Sequence, residues 1–182
     1  MTDQLPGIRP RASIGRRLDI TARSSGPACM TILLMLLTQA PFDIPGQAAL
    51  LPAVALCCVW FWSLFRPRAL PPLVVFGVGL MTDLLGYLPL GVGVFTMLAV
   101  HGVALAMRRS LSRRGFASIW AVFGGVAAAA STLIWLMVML LTFRPLSPDP
   151  ALFTAVLAIS LYPVLAIPLA GAHRSIADPE RA

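Results

Sequence analysis

The chain has 182 residues, of which 58% are hydrophobic and only 12% are charged. A soluble domain of this length does not need so large an apolar fraction, so the composition excludes that class and indicates a membrane protein with several spans. The net charge of +7 comes from fourteen Arg residues and no Lys. These Arg residues lie between apolar runs rather than on one face, so they indicate topology and do not predict nucleic-acid binding.

The first 25 residues are polar and contain five of the Arg residues. We expect residues 1–25 to form a cytosolic tail that is either disordered or lies on anionic membrane lipids through its Arg side chains. The rest is predicted to be one transmembrane domain over 26–173, followed by a short cytosolic tail over 174–182.

Six apolar runs follow the tail, and they predict an all-α integral membrane protein that forms a compact six-transmembrane-helix bundle. The first run is short for a full span, whereas the fifth is long enough to cross the bilayer with marked tilt. The runs cover 27–42, 47–65, 70–88, 92–107, 116–143 and 151–172.

The distribution of Arg predicts the orientation of this bundle. Thirteen of the fourteen Arg residues fall in the two terminal segments and in the gaps after the second and fourth runs. Only Arg144 falls in a gap on the other side. The positive-inside rule therefore predicts that both termini lie in the cytosol.

The stretch 76–91 places a carboxylate inside a long apolar run. Gly79, Asp83 and Gly86 are spaced i, i+4 and i+7, which predicts that they share one helix face, and a turn containing Pro89 and Gly91 follows. An ionisable side chain at membrane depth is costly, so Asp83 must face the bundle interior, a polar cavity or a partner. Three roles stay open for it: a hydrogen-bond acceptor that ties spans together, part of a partner interface or ligand cavity, and catalysis.

His101 is the only other ionisable side chain predicted at depth, apart from the cysteines. Helical rise separates Asp83 and His101 by roughly 8 Å in height, so direct contact is not expected. No metal-ligand or nucleophile motif is present, and Cys29, Cys57 and Cys58 lack the spacing of a zinc site. The sequence therefore predicts no catalytic residue, no metal and no cofactor.

Two further patterns predict helix packing and a turn. Small residues in the fifth run would let helix backbones approach closely in lipid, as would Gly77 and Gly79 in the third. Aromatic bulk at Trp60 and Trp62 before an Arg-Pro turn is typical of an interfacial belt. The predicted packing residues are Gly124, Gly125, Ala128 and Ser131, and the turn residues are Arg66 and Pro67.

Taken in order, the segment from Trp60 to Gly91 resembles the signature of the MreD family of rod-shape-determining proteins. The pieces that carry the resemblance are an aromatic-Trp pair ending at Trp62, Arg66-Pro67, Thr-Asp-Leu-Leu-Gly around Asp83, and Pro-Leu-Gly ending at Gly91. The chain length, the six runs and a Tyr-Pro pair in the last run fit the same family. The Arg-rich N-terminal tail departs from it.

The resemblance implies a non-enzymatic inner-membrane scaffold of the bacterial lateral wall-elongation machinery. Its implied partner is the bitopic protein MreC, and through it the MreB filament, the RodA glycosyltransferase and a transpeptidase, with membrane lipids around the bundle. It also implies a fold similar to the substrate-binding subunits of energy-coupling-factor transporters. Two other classes stay open, namely a small-molecule-binding transporter subunit and an intramembrane enzyme that uses Asp83.

Overall fold

The computed structural model describes the backbone of residues 14–40, 46–111 and 113–177, and the side chains of 25–40, 46–111 and 113–173. Within these ranges the protein is all-α, with six α-helices, one short 3-10 turn at Gln47–Ala49 and no strand. The helices are α1 (Ile14–Leu37), α2 (Leu50–Phe65), α3 (Pro72–Leu85), α4 (Val92–Leu111), α5 (Phe116–Thr142) and α6 (Asp149–Ala177).

Among the described residues, four segments are long and apolar enough to cross a membrane, which indicates a membrane protein. They are Gln47–Phe65, Val92–Leu111, Phe116–Thr142 and Asp149–His173. The predicted second run is confirmed at both ends, and the fifth differs only at its last residue. The fourth and sixth helices extend beyond the predicted runs.

The other two predicted spans are shorter helices. Among the residues whose side chains are described, the shorter apolar helices are Ser25–Leu37 of α1 and Pro72–Leu85 of α3. The 14 residues of α3 rise about 21 Å, less than the roughly 30 Å of a hydrocarbon core. The N-terminal half of α1 begins at Ile14, within the segment predicted as a tail, and residues 1–13 lie outside the described residues.

Helix α2 forms the centre of the bundle, where it packs against α1, α3, α4 and α6. Almost every side chain from Leu51 to Leu64 is buried. Trp60 and Trp62 are both 0% exposed, so they do not form the interfacial belt that the sequence predicted. Because helices surround α2 on most sides, its bulky rings fill the core instead of facing the lipid headgroups.

Helix α5 lies at the edge and packs mainly against α4 and α6. A hydrogen bond from Trp120 Nε1 to the carbonyl oxygen of Ile159 helps to join α5 to α6, at 2.9 Å. Pro163, four residues after Ile159, has no N–H to offer that carbonyl, so the indole N–H of the neighbouring helix takes the vacant position. The side chain of Phe123 also stacks on Tyr162, with ring centroids 4.5 Å apart.

Candidate functional site

Asp83 lies in the last turn of α3, and its carboxylate caps the first turn of α4. Oδ1 accepts a hydrogen bond from the backbone N–H of Gly93 at 2.6 Å. Oδ2 accepts one from Gly91 at 2.8 Å and a longer one from Val94 at 3.4 Å. The residue is 1% exposed. Both carboxylate oxygens are therefore engaged with backbone, which matches the first of the three predicted roles, an acceptor that ties two helices together.

The capping follows from the chemistry of a helix N-terminus. The first N–H groups of α4 have no partner within the helix, and a carboxylate both accepts their hydrogen bonds and complements the positive end of the helix dipole. Gly91 is the N-cap residue, since its carbonyl accepts the N–H of Phe95 at 2.9 Å, but it has no side chain to act as a cap. Its φ of 102° is one that glycine adopts readily. Asp83 supplies from α3 the cap that Gly91 lacks.

Beside this cap, α3 and α4 touch through backbone atoms. A Cβ added to Gly79 would lie 2.5 Å from Cα of Val94, and one added to Gly93 would lie 2.6 Å from Oδ1 of Asp83. Neither position has room for any side chain. We call Gly79, Asp83 and Gly93 the α3–α4 seam. Gly77, which was also predicted to pack closely, has nothing within 4 Å of its Cβ position.

Gly86 lies at the end of α3, and a Cβ added there would meet Leu51 of α2 instead of the α4 backbone that Gly79 meets. It is the C-cap residue of α3, and its N–H donates to the carbonyl of Thr82 at 2.9 Å. The N–H of Leu88 then donates to the carbonyl of Asp83 at 3.0 Å, with Tyr87 in the left-handed region at φ 52°. This C-terminal motif ends α3 before the predicted boundary, because its hydrogen bonds fold the chain back.

Pro89 continues this turn toward the start of α4. Its carbonyl accepts the N–H of Val92 at 3.2 Å. The chain 86–91 therefore reverses direction within a few residues, which brings the end of α3 beside the start of α4 and delivers Asp83 to the backbone that it caps.

His101 makes no contact with Asp83 and instead pairs with Ser63 on α2. The Nδ1 of His101 and Oγ of Ser63 are 2.7 Å apart, and both residues are buried. About two turns further along α4, Arg108 Nε donates to the carbonyl of Leu64 at 3.0 Å. Sequence reasoning did not identify Ser63, although a polar residue inside an otherwise apolar run was the available signal. The pair joins α4 to α2.

The Trp62–Pro67 segment ends α2. The backbone N–H of Arg66 donates to the carbonyl of Trp62 at 2.7 Å, and Arg66 is the C-cap residue of the helix. Arg66 and Pro67 are half-buried, and Pro71 and Pro72 then begin α3. This arrangement is the tight turn that the Arg-Pro pair predicted.

The small residues of α5 do not all pack inside the chain. Gly125 and Ala128 are exposed, and a Cβ at Gly125 would meet nothing within 4 Å. A Cβ added to Gly124 would meet only the side chain of Ile159, at an ordinary contact distance of 3.7 Å. The close packing predicted for Gly125 and Ala128 is therefore not made within this chain, because α5 buries a different face, formed by Ile119, Phe123, Ala127 and Ala130.

A shallow groove between α4 and α5 has these small residues along one wall. Its volume is about 270 Å³, and its lining is almost wholly apolar. Gly125 and Ala129 form part of the α5 side, whereas Ala99 and Val103 form part of the α4 side. We call this the α4–α5 groove. It is open to the surroundings of the bundle.

A second cavity, of about 280 Å³, lies at the end of the bundle near the 86–91 turn. Its walls include Pro52, Gly86 and Trp135, together with Ser131 of α5. Ser131 is 3% exposed, and its hydroxyl has no hydrogen-bond partner among the described residues. Asp83 does not line this cavity, so the carboxylate and the cavity are separate features.

Among the residues whose side chains are described, no three His, Cys, Asp or Glu side chains lie close enough together to hold a metal ion. Comparison of the chain with models of protein families, with curated proteins and with solved structures gives no match. The functional conclusion therefore depends on the residues and on their arrangement.

Proposed function

We propose that this protein is a non-enzymatic scaffold of the MreD type, which binds a single-span membrane protein of the MreC type in the bacterial inner membrane. In this role it contributes to lateral wall elongation with the MreB filament, the RodA glycosyltransferase and its transpeptidase. The ordered residue pattern from Trp60 to Gly91 is the reason for naming this family.

The single observation that supports a scaffold best is the α4–α5 groove. Its small residues leave α5 backbone open to approach, and small residues at a helix surface allow close association in lipid, where the hydrophobic effect does not drive helices together. Asp83 also supports a non-enzymatic role, because both oxygens of its carboxylate accept hydrogen bonds from the start of α4. Its arrangement suits a structural role better than proton transfer.

The test is co-purification of the full chain with the MreC-type protein of the same organism in a mild detergent. We expect a stable, stoichiometric complex. The variant Gly125→Leu places a bulky side chain in the groove and should weaken binding of the partner. We expect a loss of about 1.4 kcal/mol of binding free energy, which corresponds to a tenfold lower yield of complex.

Gly77→Leu is the matched control, because Gly77 also has open space at its Cβ position and does not line the groove. We expect it to leave the complex intact. Absence of any complex with the unaltered chain would contradict the scaffold function. If the complex tolerates Gly125→Leu as well as Gly77→Leu, the scaffold function would still hold, but the α4–α5 groove would not be the surface that binds the partner.

A small-molecule-binding transporter subunit is the second candidate, and the cavity beside Ser131 is the observation that favours it. An apolar pocket with one buried, unpaired hydroxyl is a common form of small-ligand site. The neighbouring genes separate the two candidates. Genes for MreB- and MreC-like proteins would support the scaffold, whereas genes for a pair of ATPases would support the transporter subunit.

A further inference from the structure

A third cavity lies between α2, α5 and α6, at the end of the bundle where the Arg residues concentrate. Its volume is about 740 Å³, the largest of the three cavities described. Phe61, Phe65 and Phe116 contribute aromatic walls, and 162–171 of α6 forms the third side. We call it the aromatic cleft. Ile167 on its rim is 76% exposed, so the cleft opens sideways toward the surroundings of the bundle.

The length of the cleft matches one leaflet of a bilayer. From Pro163 to Gly171, the lining part of α6 rises about 12 Å. Half of a hydrocarbon core of roughly 30 Å is about 15 Å, so the cleft extends through most of one leaflet. Such a shape accommodates an extended hydrocarbon chain that enters from the same leaflet.

Arg residues flank the lining residues of the cleft in two segments of the chain. Arg66 directly follows the lining residue Phe65 in the chain. The rings of Phe65 and His173 have centroids 6.1 Å apart, which places His173 at the same rim. Arg113 and Arg114 precede the lining residue Phe116 on the opposite wall.

No carboxylate balances this charge within the part of the chain whose side chains are described. That part contains only Asp83 and Asp149, and both lie at the other end of the bundle, at the end of α3 and the start of α6. A basic rim above an apolar cleft is complementary to a molecule with an anionic head and a hydrocarbon tail.

We propose that the aromatic cleft is a binding site for an anionic phospholipid. One acyl chain lies in the cleft against the three Phe rings and α6, and the phosphate lies at the rim near Arg66 and His173. This site is separate from the α4–α5 groove and does not depend on the scaffold function. It commits one face of α6 to lipid and leaves α5's groove face for a partner.

The test is native mass spectrometry of the full chain, purified without a partner and titrated with phosphatidylglycerol or with phosphatidylcholine that has the same acyl chains. We expect phosphatidylglycerol to bind more tightly by about fivefold, the effect of roughly 1 kcal/mol for one basic residue near the headgroup. Arg66→Gln should lower phosphatidylglycerol binding to the level of phosphatidylcholine and leave phosphatidylcholine binding unchanged.

Gly171→Leu should reduce the binding of both lipids, since a side chain there enters the cleft. The structure has open space at this position, and leucine forms helix better than glycine, so the variant is expected to fold. Gly102→Leu is the matched control, because Gly102 is an exposed helical glycine with equally open space and lies outside the cleft. Circular dichroism melting checks that both variants fold.

Equal binding of the two lipids by the unaltered chain would overturn the proposal, as would a Gly171→Leu variant that binds lipid like Gly102→Leu. Displacement of the bound lipid by an equimolar single-span partner would assign the cleft to that partner and overturn the lipid site. Because the titration uses the chain alone, failure of the scaffold function leaves its result unaffected.

Discussion

The α3–α4 seam and the exposed face of α5 are both rich in small residues, yet they differ in what those residues touch. At the seam, Gly79 and Gly93 leave no room for a Cβ, because the backbone or capping carboxylate of the neighbouring helix occupies that space. On α5, Gly125 has nothing within 4 Å of its Cβ position, and Ala128 is exposed. The same composition therefore produces an internal contact in one region and an open surface in the other.

Small residues permit close approach of two helices but do not cause it. At the seam, the short 86–91 turn brings α4 back beside α3, and Asp83 then fixes the start of α4 through hydrogen bonds to Gly91 and Gly93. The exposed face of α5 has no comparable polar tie. Its small residues stay available, which is why we propose that face as the binding surface for a partner.

The largest expected effect comes from adding one methyl group at the seam. Gly79→Ala would place Cβ 2.5 Å from Cα of Val94, and backbone cannot move aside as a flexible side chain can. We expect the free energy of unfolding to fall by about 3 kcal/mol, the upper part of the usual range for overpacking. Unfolding in mixed micelles of increasing SDS content, followed by circular dichroism, measures this change.

Gly77→Ala is the control for this prediction, because it makes the same chemical change two residues away in open space. It should be neutral or slightly stabilising, since alanine favours helix over glycine. If both variants lost the same stability, the cause would be a general property of α3 and not the contact with α4.

The next effect concerns the cap. Asp83→Leu removes the acceptor of the N–H groups of Gly91 and Gly93, of which Gly93 is buried, and we expect a loss of about 2 kcal/mol in the same unfolding experiment. Asp83→Asn keeps one oxygen but turns an NH₂ group toward the second N–H, so its loss should be smaller and still measurable. An Asn variant as unstable as the Leu variant would show that the negative charge, not the hydrogen bonding, stabilises α4.

These two regions also show how much the sequence could predict. The apolar runs predicted an all-α membrane protein with six helices, but only four of the described segments are long and apolar enough to cross a membrane, and α1 begins well before the predicted first run. The length of α3 was overestimated, because residues 86–88 are apolar enough to continue a span and the hydrogen bond from Leu88 to the carbonyl of Asp83 ends the helix instead. The sequence singled out Asp83 as costly at membrane depth, but it did not indicate that Gly91 and Gly93 at the start of α4 were its hydrogen-bond partners.

The buried face of α5 was unpredictable for a different reason. Every position from 116 to 143 is apolar, small or a lone hydroxyl, so no contrast between polar and apolar positions marks the side that faces the bundle. Lipid and the protein interior have similar polarity, so only the fit of side-chain shapes decides which face of α5 packs inside the bundle. Only the folded structure therefore shows that Phe123 and Ala127 are buried while Gly125 and Ala128 are exposed.

A third prediction concerns the hydrogen bond that joins α5 to α6. Trp120→Phe removes the N–H donor to the Ile159 carbonyl and should cost about 1 kcal/mol in the free energy of unfolding. Pro163→Ala supplies a backbone N–H to that same carbonyl, so in this background Trp120→Phe should cost much less. The double-mutant cycle measures the difference as an interaction energy. Additive effects of the two changes would contradict the proposed exchange of donors.

The smallest effect, and the one of opposite sign, is expected on the open face of α5. Gly125→Ala meets no atom, so it should raise the free energy of unfolding of the isolated chain by about 0.5 to 1 kcal/mol through helix propensity alone. In a complex with a single-span partner the same methyl group would lie at a helix–helix contact, where it should lower affinity. A variant that is more stable alone and weaker in the complex indicates that this glycine serves association. If Gly125→Ala destabilised the isolated chain as Gly79→Ala does, α5 would have a close contact within the chain, and the distinction between the two regions would fail.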